Sequence, residues 1–275
     1  MPSFRQRYLL SDAVPSAEIE RLHAIDELMG STTARRIEER GLARGWRCLE
    51  VGAGAGGVAR WMAEQVGPSG QVTAIDLAPL FENDPELPQL EIRRHDILAA
   101  GLEADWYDLV HCRLLLVNVG NVELALQRMM QALRPGGWLI VEEPGDNRVP
   151  GVGESSPRVT EFNRLLEAFL QSVQERTRAV ELTLYRRLPG LLEDLGLIQI
   201  GGEMTQALVT GRGRSALLGT LQAVRPVLAE SPFVKEGAIE RLIELASDPT
   251  LLTVGGSTLS LWGRRAPLPL PRPRE

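Results

Sequence analysis

The chain is poor in residues that carry ready-made chemistry. Its 275 residues include two cysteines and three histidines, aromatic residues make up 5%, and no stretch approaches the ~20 apolar residues of a membrane span. Cys48 and Cys112 each fall inside an apolar, strand-like run, where a thiol acts as a small hydrophobe; two isolated cysteines make neither a zinc pattern nor a disulfide framework. A basic excess is missing too. Thirty-six acidic against thirty basic residues leave a formal charge of −6 and a pI near 5.3, which argues against a surface built to neutralise nucleic-acid phosphates. No run of signal-peptide length opens the sequence, no period of 20 to 50 residues repeats, and no cluster of His, Asp and Glu suggests a metal site. The expectation is a soluble, cytoplasmic protein acting on a small molecule, without nucleic acid, metal or membrane span; a homodimer is compatible with this.

What is present is organised around C-L-E-V-G-A-G-A-G-G, Cys48 to Gly57, an apolar run that empties into small residues. Cys48, Leu49 and Val51 suit a buried strand, and the glycines suit a tight turn whose backbone approaches a ligand. Gly52-x-Gly54-x-x-Gly57 satisfies the dinucleotide fingerprint, with Asp76 downstream at about the expected separation. The same residues also read as E-x-G-x-G-x-G, with Glu50 two places before the first glycine. A pyrophosphate would be repelled by that carboxylate, whereas S-adenosylmethionine, with an ammonium and a sulfonium, would not.

Periodicity predicts two helices first, Ser16 to Met29 and a second capped by Ser31 or Thr32 that runs to about Glu39. Strands and helices then alternate: strand 46–51, helix 58–66, strand 71–76, strand 90–95, strand 107–112, helix 122–133, strand 138–143. Arg134-Pro135-Gly136-Gly137 reads as a helix stop and turn, and the proline-rich Leu77 to Gln89 has room for a short helix at most. Further helices are expected at 159–174, 185–195, 215–228 and 235–246, and strands at 197–202, extending as far as 210, and 253–262. Such alternation means a mostly parallel sheet with helices on both faces.

The order of these elements and five of their signatures, E-V-G-A-G-A-G-G, V-T-A-I-D, R-R-H-D-I, Y-D-L-V-H-C-R and L-R-P-G-G-W-L-I-V-E-E, resemble the class I S-adenosylmethionine-dependent methyltransferases, the small-molecule UbiE-like group in particular. The resemblance covers 46–145 by motif and the rest by topology. It implies a Rossmann-like sheet of seven strands, the last antiparallel, with a helical cap over its carboxyl edge. Residues 1–44 would form lid helices, 45–263 the methyltransferase domain with helical insertions at about 145–183 and 211–249, and 264–275 a Pro-rich tail. By the same resemblance S-adenosyl-L-methionine lies along Gly52, Ala53, Gly54 and Gly56, with S-adenosyl-L-homocysteine as product. Asp76 would meet the ribose, Asp96 and Ile97 the adenine, and Glu50 the methionine ammonium, and Leu77, next to Asp76, would also touch the cofactor. Cys112 and Arg113 would stand where methionine and acceptor meet, and Tyr8 would close over the methionine from a lid that also carries Ser11.

Several of these residues have plainer roles open to them: Asp76 and Asp96 as turn or helix caps, Asp108 as a backbone acceptor, Tyr8 as part of a free terminus. His111 is the histidine placed to serve as general base, although methyl transfer can run mainly on alignment. No Asn-Pro-Pro-Tyr type motif follows Arg113, which moves the acceptor toward a small molecule. Phe162, Leu165, Leu166 and Phe169 on one helix, and Leu217, Leu218 and Leu221 on another, are expected to roof the pocket. The implied reaction moves a methyl group onto an oxygen, carbon or nitrogen of a small, rather apolar metabolite, a secondary metabolite or a quinone-like acceptor. A cofactor-holding cyclase and a non-catalytic cofactor-binding module share the fold.

Overall fold

β-Branched and aliphatic runs too short for helices become the parallel strands at the centre of this chain. The computed structural model describes residues 15–145, 151–153, 156–176, 183–206, 208–209, 214–228 and 237–268. In order these are α1 (Pro15–Glu39), β1 (Arg47–Val51), α2 (Gly57–Val66), β2 (Gln71–Asp76), β3 (Leu90–Arg94), β4 (Tyr107–Arg113), α3 (Val122–Ala132), β5 (Leu133–Pro144), α4 (Pro157–Arg176), α5 (Leu188–Asp194), β6 (Ile198–Thr205), β7 (Leu208–Val209), α6 (Ser215–Leu228), α7 (Ala238–Ser247), β8 (Thr253–Val254) and β9 (Thr258–Arg264). Seven strands form one sheet in the order β3-β2-β1-β4-β5-β9-β6, and β7 pairs with β8 in a separate ribbon. β9 is antiparallel to both β5 and β6, so β6 runs with the first five.

β1, β2 and β4 are buried on both faces, as parallel strands covered by helices must be. On one face α3 and α5 cover Leu49, Val51, Val110 and Leu139; on the other α2 and the end of α1 cover Cys48, Val72, Ala74, Leu109 and Ile140. A third apolar cluster, with Phe162, Phe169, Leu221 and Leu242 at its centre, joins α4, α6 and α7 to one another. Phe162, Leu165, Leu166 and Phe169 are thus spent on the core that α4, α6 and α7 share, whereas Leu217 and Leu218 are only partly buried against it. Tyr8 and Ser11 lie outside the described residues.

The elements depart from the sequence expectation in four places. The two N-terminal helices are one rod of 25 residues. Gly30 interrupts neither its hydrogen bonding nor its packing, and the residues expected to cap a second helix lie inside the first. Side chains on both sides of the glycine, described below, tie the helix to its neighbours. Arg134 to Gly137 is strand rather than turn, because the chain beyond β9 pairs with it: Gly136 donates to the Arg265 carbonyl and Arg265 to that of Gly137, both at 2.9 Å. A Cβ on Gly137 would meet the carbonyls of Tyr107 and Asp108 at 2.9 and 3.0 Å, so glycine is what lets β5 approach β4 there. The expected last strand is split into β8 and β9, and the helix expected over 185–195 starts with a separate 3-10 turn at Leu184–Arg186.

Gly30 sits in mid-helix with no atom within 4 Å of a Cβ built on it. Gly30→Ala is therefore expected to raise the unfolding free energy by about 0.5–1 kcal/mol, the helix-interior difference between the two residues, as read by urea denaturation.

Candidate active site

The site is built at the carboxyl ends of β1, β2, β4 and β5, and the sheet register determines which side chains share a face there. Glu50 stands opposite His111, Arg113 opposite Glu142, Glu142 opposite Ser260, and Ser260 opposite Glu203. Because side chains alternate along a strand, all of these project to the side covered by α1. A sheet face that is apolar near its amino end becomes a row of charges near its carboxyl end.

α1 meets that row with matching polarity. Asp26, Thr33, Arg36 and Arg40 recur at intervals of seven, three and four residues and so share one side of the rod. Arg36 donates to Glu142 at 2.8 Å, Thr33 to the same carboxylate, and Ser260 to it at 2.7 Å. Arg36 also reaches Thr205 at 3.1 Å and Glu203 at 3.5 Å. Arg40 lies over the Trp262 ring, 3.8 Å from its centroid, and near that of Trp138 at 5.8 Å. Arg113 donates to Thr33 at 3.4 Å and to Asp26. None of the α1 residues in this network was evident from the sequence, which marks this stretch only as a helix running to about Glu39.

His111 has no solvent exposure. Its Nδ1 lies 2.6 Å from Glu50 and its Nε2 3.4 Å from Glu142, so that a ring protonated on both nitrogens donates to both carboxylates. Burial alone would lower the pKa of the ring, but the two carboxylates outweigh it and raise it to about 9. Burial likewise opposes ionisation of Glu142, yet His111, Thr33 and Ser260 together hold its carboxyl well below the usual range. For Glu50 burial wins and the pKa rises, with His111 and Arg113 opposing. The histidine expected as general base thus has a carboxylate at each nitrogen and no exposure to solvent, a setting that does not favour proton removal from an acceptor.

Next to this network the backbone is strained. Leu114, directly after β4, takes φ +54°, which disfavours any side chain, and its N–H is held by the Glu142 carbonyl at 2.8 Å. The buried Glu143 carboxylate then accepts from the N–H groups of Leu115, Leu116 and Val117 at 3.0, 2.6 and 3.3 Å. Burial pushes its pKa up to about 7 against those three hydrogen bonds.

The glycine turn has the shape the sequence demanded, with φ of +75°, +54° and +84° at Gly52, Gly54 and Gly56. Asp76 at the end of β2 accepts from Gly54 and Ala78, both at 2.9 Å, one oxygen for each. Each of those oxygens keeps a second lone pair. Asp96 is exposed and caps its own turn through Leu98 at 2.9 Å. Ile97 is buried and Leu77 is 57% exposed. Cys112 is buried with its thiol pKa pushed well up by desolvation, which makes it packing rather than chemistry. Asp108 accepts from the Arg47 backbone at 2.7 Å and from Arg134, the structural role open to it from the start. A cavity of about 410 Å³ opens at Phe81, Glu82, Asn83 and Ile92.

A family model described as a methyltransferase domain matches residues 17–193, from α1 through α5. The chain belongs to this methyltransferase family. It is a class I S-adenosylmethionine-dependent enzyme. It is 26% identical to methyltransferase str2 of Strobilurus tenacellus over 244 residues, covering 79% of this chain and 85% of that one. A demethylmenaquinone methyltransferase of Staphylococcus aureus is 26% identical over 121 residues, 42% of this chain and 50% of its own. Among solved structures, Haemonchus contortus phosphoethanolamine N-methyltransferase 2 in complex with S-adenosyl-L-methionine superposes with a TM-score of 0.51 at 18% identity, over 89% of this chain and 56% of that one. The cofactor suits what this methyltransferase presents: glycines with positive φ, free lone pairs on Asp76, an exposed Leu77 offering an apolar surface at a strand end, and a buried carboxylate at Glu50 with a cation behind it.

Two measurements test the network. Glu142→Gln leaves Arg36 and His111 facing a neutral group in a site without solvent, and is expected to cost about 3–5 kcal/mol in urea unfolding. Separately, a histidine whose pKa is raised from 6.5 to about 9 contributes stability in full below 6.5 and loses it as pH rises through 9. The unfolding free energy should thus fall between pH 7 and 9, and His111→Gln should flatten that fall. The buried thiols contribute in the same direction near pH 9 but remain in the variant, so the difference between the two profiles isolates the ring.

Proposed function

We propose that this methyltransferase moves the sulfonium methyl of S-adenosylmethionine in line onto an oxygen, carbon or nitrogen of a small, rather apolar metabolite, with a quinone-like or secondary-metabolite acceptor fitting best. The observation that carries this reading is the helical cap. α4 follows β5, and α6 and α7 follow β6 and the short β7, in connections that leave the sheet at its carboxyl edge, so the chain invests three helices above the cofactor end of the sheet, with the apolar Leu217 and Leu218 only partly covered. The demethylmenaquinone relative, whose name gives it a quinone precursor, supports such an acceptor. The acidic charge of −6 speaks against a nucleic-acid substrate.

When bound, the cofactor supplies the electrophilic methyl group. The chain's own residues position it. Asp76 accepts from the ribose hydroxyls through the lone pairs left by Gly54 and Ala78; Leu77, Asp96 and Ile97 take the adenine; Gly52, Ala53, Gly54 and Gly56 let the backbone run close beneath; Glu50, with His111 behind it, faces the ammonium; Arg113 is the neighbouring cation, and Tyr8 would complete the closure. Alignment rather than proton removal carries the rate in this scheme, since effective molarities of about 10⁵–10⁸ M are available to well-placed reactants.

The test is incubation with methyl-labelled cofactor and a panel of naphthoquinols, phenols and enolisable ketones. Labelled product with an equal amount of S-adenosylhomocysteine is expected; an acceptor converted without any S-adenosylhomocysteine would show a cofactor-holding cyclase or rearrangement enzyme instead. Asp76→Ala should weaken S-adenosylhomocysteine binding by about tenfold or more, the worth of hydrogen bonds to a charged acceptor, and NAD should not stabilise the wild type in a thermal shift.

A further inference from the structure

The two halves of the cofactor groove differ in what covers them. At the ends of β2 and β3, Leu77 and Asp96 are exposed. Over the glycine turn, by contrast, α1 is in contact: Leu22 lies 3.2 Å from where a Cβ of Gly54 would be, and the Asp26 carboxylate lies against Gly57. The half that would receive the methionine end of the cofactor is the half that α1 occupies.

Arg113 stands at that end. Val51 pairs with Cys112 in the sheet, so the next residues, Gly52 and Arg113, lie side by side, and Arg113 projects to the same face as Glu50. Its hydrogen bonds run to two α1 residues, Thr33 and Asp26. The Arg113 side chain is 10% exposed and that of Asp26 25%, so the carboxylate has solvent to turn into while the guanidinium does not.

The cofactor's amino-acid end carries one ammonium and one carboxylate. With Glu50 facing the ammonium, Arg113 is the cation within reach of the carboxylate, and the group already on Arg113 is chemically the same. We propose that Asp26 is a stand-in for the cofactor's carboxylate: it neutralises Arg113 in the ligand-free chain and is displaced from it when the cofactor binds. This rests on the cofactor reading of the glycine turn given above. The exchange is one carboxylate for another, so the charge balance around Arg113 is kept and its buried guanidinium is never left unpaired. Nor does it require α1 to leave the sheet, because Thr33, Arg36 and Arg40 hold the second half of the helix independently of Asp26. The consequence is a built-in competition that weakens binding of ligands with the α-carboxylate and spares those without it.

Isothermal titration with S-adenosylhomocysteine and with its decarboxylated analogue, which keeps the adenosine and the ammonium, separates the possibilities. Asp26→Asn, or Asp26→Ser should the first variant fold poorly, is expected to tighten S-adenosylhomocysteine binding about tenfold and leave the analogue unchanged. Arg113→Gln should weaken S-adenosylhomocysteine about tenfold more than it weakens the analogue, whose ammonium still depends on Glu50 staying ionised, and adding Asp26→Asn to it should not restore that difference. The exchange is overturned if Asp26→Asn leaves S-adenosylhomocysteine affinity unchanged, or shifts both ligands equally, in a protein whose wild type binds both. Wild type binding neither ligand would bring down the cofactor reading as well.

Discussion

Glu142 carries a negative charge into the middle of the molecule, with no solvent exposure, and the arrangement around it follows from the need to satisfy that charge. Removing a carboxylate from water costs several kcal/mol even after relaxation, and only good geometry with several donors offsets it. Here the donors come from three elements: Arg36 and Thr33 of α1, His111 of β4 and Ser260 of β9, all on one carboxylate of β5. α1 is consequently not a loosely attached terminal helix. It is fixed in rotation and in height by an ion pair that tolerates little displacement, and its first half is thereby brought over the glycine turn.

The same chain of charges gives Glu50 its character. A carboxylate that was buried alone would take up a proton and lose its use as an acceptor for a cation. His111, held between Glu50 and Glu142, opposes that, and Arg113 adds to it from the end of the same strand. The site is thus supported at one remove by α1, through the contacts that His111 makes with both carboxylates. Glu143 supports the other side of the same corner, where its three backbone hydrogen bonds hold the turn after the strained Leu114.

Much of the fold was legible in the sequence because its signals are local. Strand lengths, the glycine turn, the acids ending β2 and β3 and the proline-rich stretch after Asp76 each depend on residues close together in the chain, and the motif order resolved a dinucleotide from S-adenosylmethionine where the glycines alone did not. The expectations that failed were local rules outvoted by distant partners. Gly30, Ser31 and Thr32 spell a helix end, but Thr33, Arg36 and Arg40 are tied to β5, β9 and the tryptophans beneath, and the helix runs on. Arg134 to Gly137 spells a turn, but Arg265 lies alongside and makes it strand.

The sequence by itself determined the class of sheet, the place of the cofactor loop and the apolar character of the cap, since periodicity and glycine chemistry act within a few residues. Only the tertiary structure decided what His111, Asp26, Thr33, Arg36 and Glu142 do. Their meaning lies in charge neutralisation between segments about a hundred residues apart. Such a constraint leaves no periodic trace, because one buried carboxylate can be satisfied by donors from anywhere in the chain.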